Sequence, residues 1–120
     1  MIVNASLVLV RNWLAGDVVN DPSHMAIGTG IASPQVTDTT LQTELLRKIF
    51  SSKTKGTIGK ITYEMTLTTA EGNGNNLSEV GVLNASSGGD LLNRLTFKPI
   101  AKTSDFELKI EIDLEVRRKN

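Results

Sequence analysis

The segment FELKIEIDLEVR, residues 106–117, restricts the possible folds more than any other stretch, because apolar and polar residues alternate along its whole length. The apolar members of this row are Phe106, Leu108, Ile110, Ile112, Leu114 and Val116. Such alternation predicts a β-strand with one buried face. At about 3.3 Å per residue the segment would reach about 36 Å, whereas most strands span about 17–20 Å. We therefore expect its apolar row to be covered partly by the chain's own core and partly by a neighbouring copy.

Shorter segments upstream predict further strands. In residues 61–67 apolar and polar residues alternate with period two, and residues 25–28 form a short apolar run that ends in Gly28. Residues 77–85 and 91–97 flank the turn sequence SSGGD, which predicts a β-hairpin. Pro99 cannot donate a hydrogen bond to a strand ladder, so the second arm is expected to end there or to lie at a sheet edge.

The N-terminal segment, residues 4–15, is best interpreted as a helix that Asn4 caps and Gly16 ends. Its apolar residues form two adjoining stripes, and we expect this wide face to be buried. The stripes are Val3, Leu7, Val10 and Leu14, and beside them Leu9 and Trp13. A strand remains an alternative, because residues 6–10 are rich in apolar and β-branched side chains.

A second helix is predicted from residue 39 onward. Thr39 and Gln42 have the spacing of a capping box, and apolar residues follow at helical intervals. Those apolar residues are Leu41, Leu45, Leu46 and Ile49. Residues 1–120 are thus expected to form one α+β domain, a mostly antiparallel β-sheet or small β-sandwich with one or two packed helices.

Composition argues against familiar catalytic sites. The chain has no cysteine and only one histidine, His24, which excludes thiolate chemistry and most zinc sites and makes an enzyme the least favoured class. Thirteen basic residues balance thirteen acidic ones, so no overall field attracts nucleic acid or membrane, and little self-repulsion opposes association. We expect no cofactor, no membrane span and no secretory leader.

The sequence MAIGTGIASP, residues 25–34, raises the question of nucleotide binding. A dinucleotide-binding fingerprint needs a third glycine or alanine at which a helix begins at once. In this sequence Ser33 occupies that position and Pro34 follows it. We therefore interpret Gly28 and Gly30 as structural residues of a turn with tight packing.

Two charged clusters allow weaker alternatives. The acidic residues Glu107, Glu111, Asp113 and Glu115 share one face of the last strand, where a hard cation is conceivable. Interleaved basic residues favour cross-strand ion pairs instead. A small nucleic-acid-binding domain would have to use Lys53, Lys55, Arg117, Arg118 and Lys119.

Four stretches of the sequence, taken in order, resemble those of a known family. They are LVRNWLAGD, AIGTGIASPQVTDTTLQTELLRK, LSEVGVLNASSGGDLLNRLTF and the closing alternating strand. The chain resembles small tail and collar-type structural proteins of tailed bacteriophages, and more distantly the N-terminal attachment domain of phage collar and tail fibres. The fibre proteins continue into a shaft and receptor-binding tip, and we expect neither in this protein. The resemblance therefore implies an adaptor, collar, baseplate or capsid-surface subunit without enzymatic activity.

From the resemblance we expect a virion protein, made in the cytoplasm of a host bacterium, that binds copies of itself and other virion proteins. A trimer would suit fibre attachment, and a sixfold ring would suit a tail. Capsid-surface decoration or a head fibre is the alternative. Two loops are expected to be exposed contact sites, the turn at residues 71–76 and the hairpin tip. The tip residues are Asn84, Ser86, Ser87, Gly88, Gly89 and Asp90.

Overall fold

A computed structural model describes residues 1–119 of the chain. One helix and seven strands follow each other along the sequence. They are α1 (Asn4–Leu14), β1 (His24–Gly28), β2 (Glu44–Ile49), β3 (Ser52–Lys55), β4 (Lys60–Leu67), β5 (Asn76–Leu83), β6 (Leu91–Ala101) and β7 (Leu108–Glu115). The α+β class predicted from sequence is confirmed.

The strands form two antiparallel sheets. The first sheet has the order β2-β1-β5-β6, and the second has the order β3-β4-β7. The chain crosses between the sheets after β2, after β4 and after β6. Consecutive strands therefore alternate between the two layers in pairs, which is the arrangement of a small β-sandwich.

The main apolar core lies between the two sheets. Inward-facing side chains of both sheets build it, and it consists of Met25, Ile27, Tyr63, Met65, Leu67, Leu77, Val80, Val82, Leu92 and Ile112. Polar contacts also join the layers. The Lys48 ammonium on β2 donates to the Thr66 carbonyl on β4 at 2.7 Å and bonds Glu71 at the same distance. The predicted strands at residues 25–28, 61–67 and 77–85 are confirmed within one or two residues at their ends.

The C-terminal strand is shorter than its sequence pattern suggests. β7 covers Leu108–Glu115, so Phe106 precedes it and Val116 follows it. Ile112 is buried, Leu108, Ile110 and Leu114 are half-buried, and Val116 is 83% exposed. Phe106 turns away to the buried Lys102, whose ammonium lies 5.3 Å from the ring centroid. The apolar row is thus only partly covered within one copy.

The helix predicted from residue 39 is wrong. Residues 44–49 instead form β2, which pairs with β1. The amides of Gln42 and Thr43 donate to the Glu79 carboxylate, both at 2.8 Å, and so do not serve a first helical turn. Tertiary hydrogen bonds from a distant strand thus override the local capping-box pattern.

The N-terminal helix is confirmed, but two details differ. Val3 rather than Asn4 is the N-cap, and no side chain caps the helix. Gly16 follows the helix with φ of +92°, the left-handed conformation that glycine tolerates. The prediction that the wide apolar face is buried is wrong, since Trp13 is 63% and Leu14 is 72% exposed. Helix α1 packs on β6 chiefly through its first turns, where the Ser6 hydroxyl donates to the Leu92 carbonyl at 2.7 Å.

β6 runs past Pro99 to Ala101, so the arm does not end at the proline. The alternative, an edge position, is the one observed. Part of this edge is covered by the N-terminal residues, because Val3 donates to the Leu92 carbonyl and Arg94 donates to the Met1 carbonyl. Pro99 lies between Thr96 and Ile100, where the β5–β6 register shifts, so it falls in an irregular part of the ladder.

Candidate interaction surfaces

An apolar groove of about 870 Å³ lies between α1, the first residues of β6 and the inner face of the second sheet. Helix α1 contributes Leu7, Leu9, Val10 and Trp13 to its wall. The opposite wall includes Ile61, Tyr63, Leu114 and Val116. Leu7 and Val10 are also more than half exposed, so the groove continues into an open apolar patch on the helix. Exposed apolar patches rimmed by polar residues typically mark interaction sites.

Charged groups at the groove are mostly acidic. Asp21, Asp113 and Glu115 contribute to its lining. Burial, followed by the charge of Asp21, raises the pKa of Tyr63 above its usual value. The N-terminal amine of Met1 donates to the Arg94 carbonyl at 3.0 Å, and burial lowers the pKa of this amine. A partner with an apolar surface and basic flanks suits such a groove.

The free edge of β7 is a second candidate surface. The Val116 amide donates to the Gly59 carbonyl at 2.8 Å, so the backbone of Val116 points toward the β4 side. Along an antiparallel strand, residues alternate in the side to which their backbone groups point. The backbone groups of Lys109, Glu111, Asp113 and Glu115 therefore point away from β4, and among residues 1–119 no strand pairs with them.

Three of the four acidic residues considered for a cation, Glu111, Asp113 and Glu115, form ion pairs with neighbouring basic residues. Lys109 contacts Glu64 at 3.3 Å and Glu111 at 3.4 Å, and these carboxylates raise the pKa of the lysine. A hydrogen bond from Thr62, then one from Lys60, lowers the pKa of Asp113. Within the described chain, no group of three or more His, Asp or Glu side chains is arranged to hold a metal. This face of the second sheet is therefore a cross-strand ion-pair network.

Gly28 and Gly30 lie beside a buried carboxylate, that of Glu79. Neither glycine has a positive φ, so close packing rather than backbone conformation requires them. A Cβ on Gly28 would collide with the Thr43 carbonyl, and one on Gly30 would collide with Glu79. The Gly30 amide donates to the Glu79 carboxylate at 2.7 Å. These contacts hold residues 29–43 against the outer face of the first sheet.

The hairpin tip is only partly the exposed loop expected from sequence. Ser86, Ser87, Gly88, Gly89 and Asp90 are exposed, but the prediction for Asn84 is wrong because this residue is buried. Its side-chain oxygen accepts a hydrogen bond from the Asp90 amide at 2.8 Å. Asn84 thus closes the turn from within instead of pointing outward.

Arg47 on β2 also holds the hairpin tip. Its guanidinium donates to the carbonyls of Ala85 and Gly88 at 3.0 and 2.8 Å. The expected turn at residues 71–76 is similarly anchored, because the buried Lys102 donates to Asn73 at 2.9 Å. Both loops are held in fixed positions by the fold.

The structure does not bring the basic residues together. Lys53 and Lys55 lie on β3, and Arg117 follows β7, so β4 separates the two groups. The Lys53 ammonium donates to the Pro22 carbonyl at 2.9 Å and lies 5.8 Å from the Phe50 ring centroid. His24 contacts the Ser23 hydroxyl at 2.7 Å through Nδ1.

Sequence reasoning missed the exposure of α1, although a signal was present. The helix sequence NASLVLVRNWL carries Val8 and Trp13 in addition to the stripe around Leu7. A helix that packs on one side needs an apolar stripe, and apolar residues beyond that stripe indicate a second contact.

In comparisons with known proteins, no family model and no curated protein matches the chain. Among residues 1–119, no helix is both long enough and apolar enough to cross a membrane. The groove beside α1 and the edge of β7 are the two surfaces of the described residues that suggest a function.

Proposed function

We propose that this protein is a non-enzymatic structural subunit of a tailed-bacteriophage virion, located in the tail, collar, baseplate or fibre attachment. It acts by associating with further copies and by docking onto other virion proteins. The resemblance of its sequence segments to phage tail and collar-type proteins gives the class of assembly. The exposed apolar face of α1 and the groove beside it support the docking role.

The exposed face of α1 is the observation that carries the proposal. Leu7, Trp13 and Leu14 are each more than 60% exposed, although the helix is well packed at its N-terminal end. Fully burying one such side chain contributes about 1.5–3 kcal/mol, so a partner that covers all three gains several such contributions. These gains can offset the loss of translational and rotational freedom on association.

The test is incorporation into particles of the phage that encodes the chain. The wild-type protein should be found in purified virions, and immunogold particles should label the tail, collar or baseplate. Labelling of the capsid surface would support the alternative, a decoration or head-fibre protein. Virions that contain none of the chain would refute a structural role.

A pair of variants links this role to the groove. Trp13→Lys places a charge on the groove wall, whereas Val18→Lys changes a fully exposed residue that does not line the groove. Trp13→Lys should reduce incorporation at least about tenfold, because a desolvated charge in the contact is unfavourable. Val18→Lys should be incorporated like the wild type. Equal incorporation of both variants would exclude the groove as the docking surface.

A further inference from the structure

The edge of β7 differs from the other three sheet edges. β2 pairs with β1 through a register shift, β3 has only four residues, and β6 is partly covered and contains Pro99. β7 pairs with β4 over eight residues without any register shift. It contains no glycine or proline, so it has no bulge or breaker that would prevent another strand from pairing with it.

We propose that β7 pairs with β7 of a second copy, antiparallel, about a two-fold axis at Ile112. This inference deepens the proposed function and rests on its premise that the chain associates with itself. The two second sheets would join into one six-stranded sheet with the order β3-β4-β7-β7-β4-β3. Isologous pairing of this kind uses the same edge on both copies.

Backbone geometry is compatible with this axis. Lys109, Glu111, Asp113 and Glu115 each offer one amide and one carbonyl at the edge. With the axis at Ile112, Lys109 lies opposite Glu115 of the second copy and Glu111 lies opposite Asp113. All four residues then form hydrogen-bonded pairs, and Ile112 lies opposite Ile112 in a non-hydrogen-bonded pair.

The apolar row selects the allowed registers. A slip of one residue would place apolar side chains opposite charged ones and turn them to the wrong face. Of the registers that avoid this, those centred on Ile112 and on Glu111 overlap almost the whole strand. In the Ile112 register, the exposed Val116 lies beside Leu108 of the second copy, which covers the end of the row.

Charge favours the Ile112 register over the Glu111 register. With the axis at Ile112, Lys109 faces Glu115 and Glu107 faces Arg117, and the symmetry repeats both attractive pairs. The unfavourable neighbours in this register are Glu111 and Asp113. Their charges are partly balanced within each copy by Lys109 and Lys60, at 3.4 and 3.3 Å. With the axis at Glu111, Lys109 would face Asp113, but Glu111 would face itself and Glu107 would face Glu115 on both sides of the axis.

The first experiment is sedimentation equilibrium of the full chain. The wild type should be a dimer that dissociates on dilution. Glu111→Pro removes an amide hydrogen that β4 does not use, so the single copy keeps its ladder while the pairing loses its centre. It should weaken dimerisation at least about tenfold, whereas the matched control Glu111→Ala should stay close to the wild type. A wild type that is monomeric throughout, or a dimer unaffected by Glu111→Pro, would overturn the inference.

A charge exchange tests the register. Lys109→Glu and Glu115→Lys should each weaken the dimer, and the double variant should restore it, because these residues face each other twice across the axis. Thermal unfolding of each variant controls for the contacts that Lys109 makes within one copy. In the Glu111 register Lys109 would face Asp113, so failure of the double variant to restore the dimer would exclude the Ile112 register.

Cross-linking gives an independent measurement, because the chain has no cysteine of its own. In Ile112→Cys the two Cα atoms would lie about 4.5 Å apart, within the range of a disulfide. In the control Glu111→Cys they would lie diagonally at about 7–8 Å, which is too far. Oxidation should link the first variant and leave the second unlinked. Linking of Glu111→Cys alone would show the other register.

Failure of this inference and failure of the proposed function are distinguishable. If the chain occurs in virions while the wild type and Glu111→Pro sediment alike, the pairing is wrong and the virion role stands. If the predicted dimer forms while virions lack the chain, the virion role is wrong and the pairing stands. Three such two-fold pairs could also assemble into a hexamer with threefold symmetry, whereas a ring with sixfold symmetry would need a different, heterologous contact.

Discussion

The Arg94 guanidinium bonds the Glu79 carboxylate at 2.9 Å within the first sheet, where both side chains are almost completely buried. Arg94 also donates to the Ala32 carbonyl at 2.8 Å and contacts Asp38 at 3.1 Å. Glu79 accepts three backbone amides from residues 30, 42 and 43. One ion pair between adjacent strands thus organises the whole connection from β1 to β2.

We expect Arg94→Met to be strongly destabilising, because it leaves the Glu79 carboxylate buried without its cation. Removing one partner of a buried ion pair typically costs about 3–5 kcal/mol. Urea unfolding measures the effect. Arg11→Met is the control, since the exposed Arg11 bonds the neighbouring Asn12 side chain at 2.9 and 3.1 Å and its loss should change little. Equal unfolding free energies for the two variants would contradict a central role of Arg94.

The same carboxylate should make stability depend on acid pH. Burial alone would raise the pKa of Glu79, but hydrogen bonds from Thr43, Arg94, Gln42 and Gly30 outweigh it and lower this pKa. The folded state therefore binds the proton less tightly than the unfolded state. The resulting stabilisation is present above the ordinary glutamate pKa of about 4.3 and is lost as pH falls through the lowered value.

The measurement is the unfolding free energy of the wild type and of Glu79→Gln over a range of acid pH. The wild type should be more stable near neutrality, and the difference should shrink as pH falls. Other carboxyl groups are common to both proteins and cancel in the difference. A difference that does not change with pH would contradict the lowered pKa.

Gly28 should not tolerate even one added methyl group. Gly28→Ala places a Cβ against the Thr43 carbonyl and 2.8 Å from Glu79 Oε2. Overpacking of this kind typically costs about 1–3 kcal/mol, measured by urea unfolding. Gly56→Ala is the matched control, because its Cβ would meet nothing closer than 3.5 Å. Similar losses for both would show that the contact at Gly28 relaxes freely.

Trp13 should report on docking by fluorescence. It is the only tryptophan, it lines the groove and it is 63% exposed. Emission from the free protein should resemble that of a hydrated indole and shift to shorter wavelength when a virion partner covers the groove. Trp13→Ala should lower the unfolding free energy by much less than the about 3–5 kcal/mol lost when a buried tryptophan is truncated, since most of the residue is exposed. A large loss of stability would mean that the ring belongs to the core.

The elements that were predicted correctly have sequence patterns that depend on residues within or next to the element itself. β4 and β7 alternate strictly because one face packs on the core and the other meets water. The hairpin between β5 and β6 follows from its glycine-rich turn. Such elements need no knowledge of distant residues.

The elements that sequence missed depend on distant partners. The apolar residues from Leu41 to Ile49 have helical spacing. However, the first backbone amides of this segment donate hydrogen bonds to Glu79, which is more than thirty residues away. Asn84 is of a residue type that is common in exposed loops, but its side chain accepts a hydrogen bond from the Asp90 amide. The exposure of α1 likewise depends on how little of the helix β6 can cover. The two candidate surfaces therefore emerge only when the sheets are assembled.

The interleaving of the two sheets has a consequence for biogenesis. Because β7 completes the second sheet and follows β5 and β6 in the sequence, β4 cannot pair with it until both intervening strands have been synthesised. During that interval the growing second sheet lacks β7, the strand that pairs with β4. Non-local pairing of this kind slows folding and exposes nascent chains to aggregation, so we expect this protein to need a low expression temperature or a chaperone for good yield.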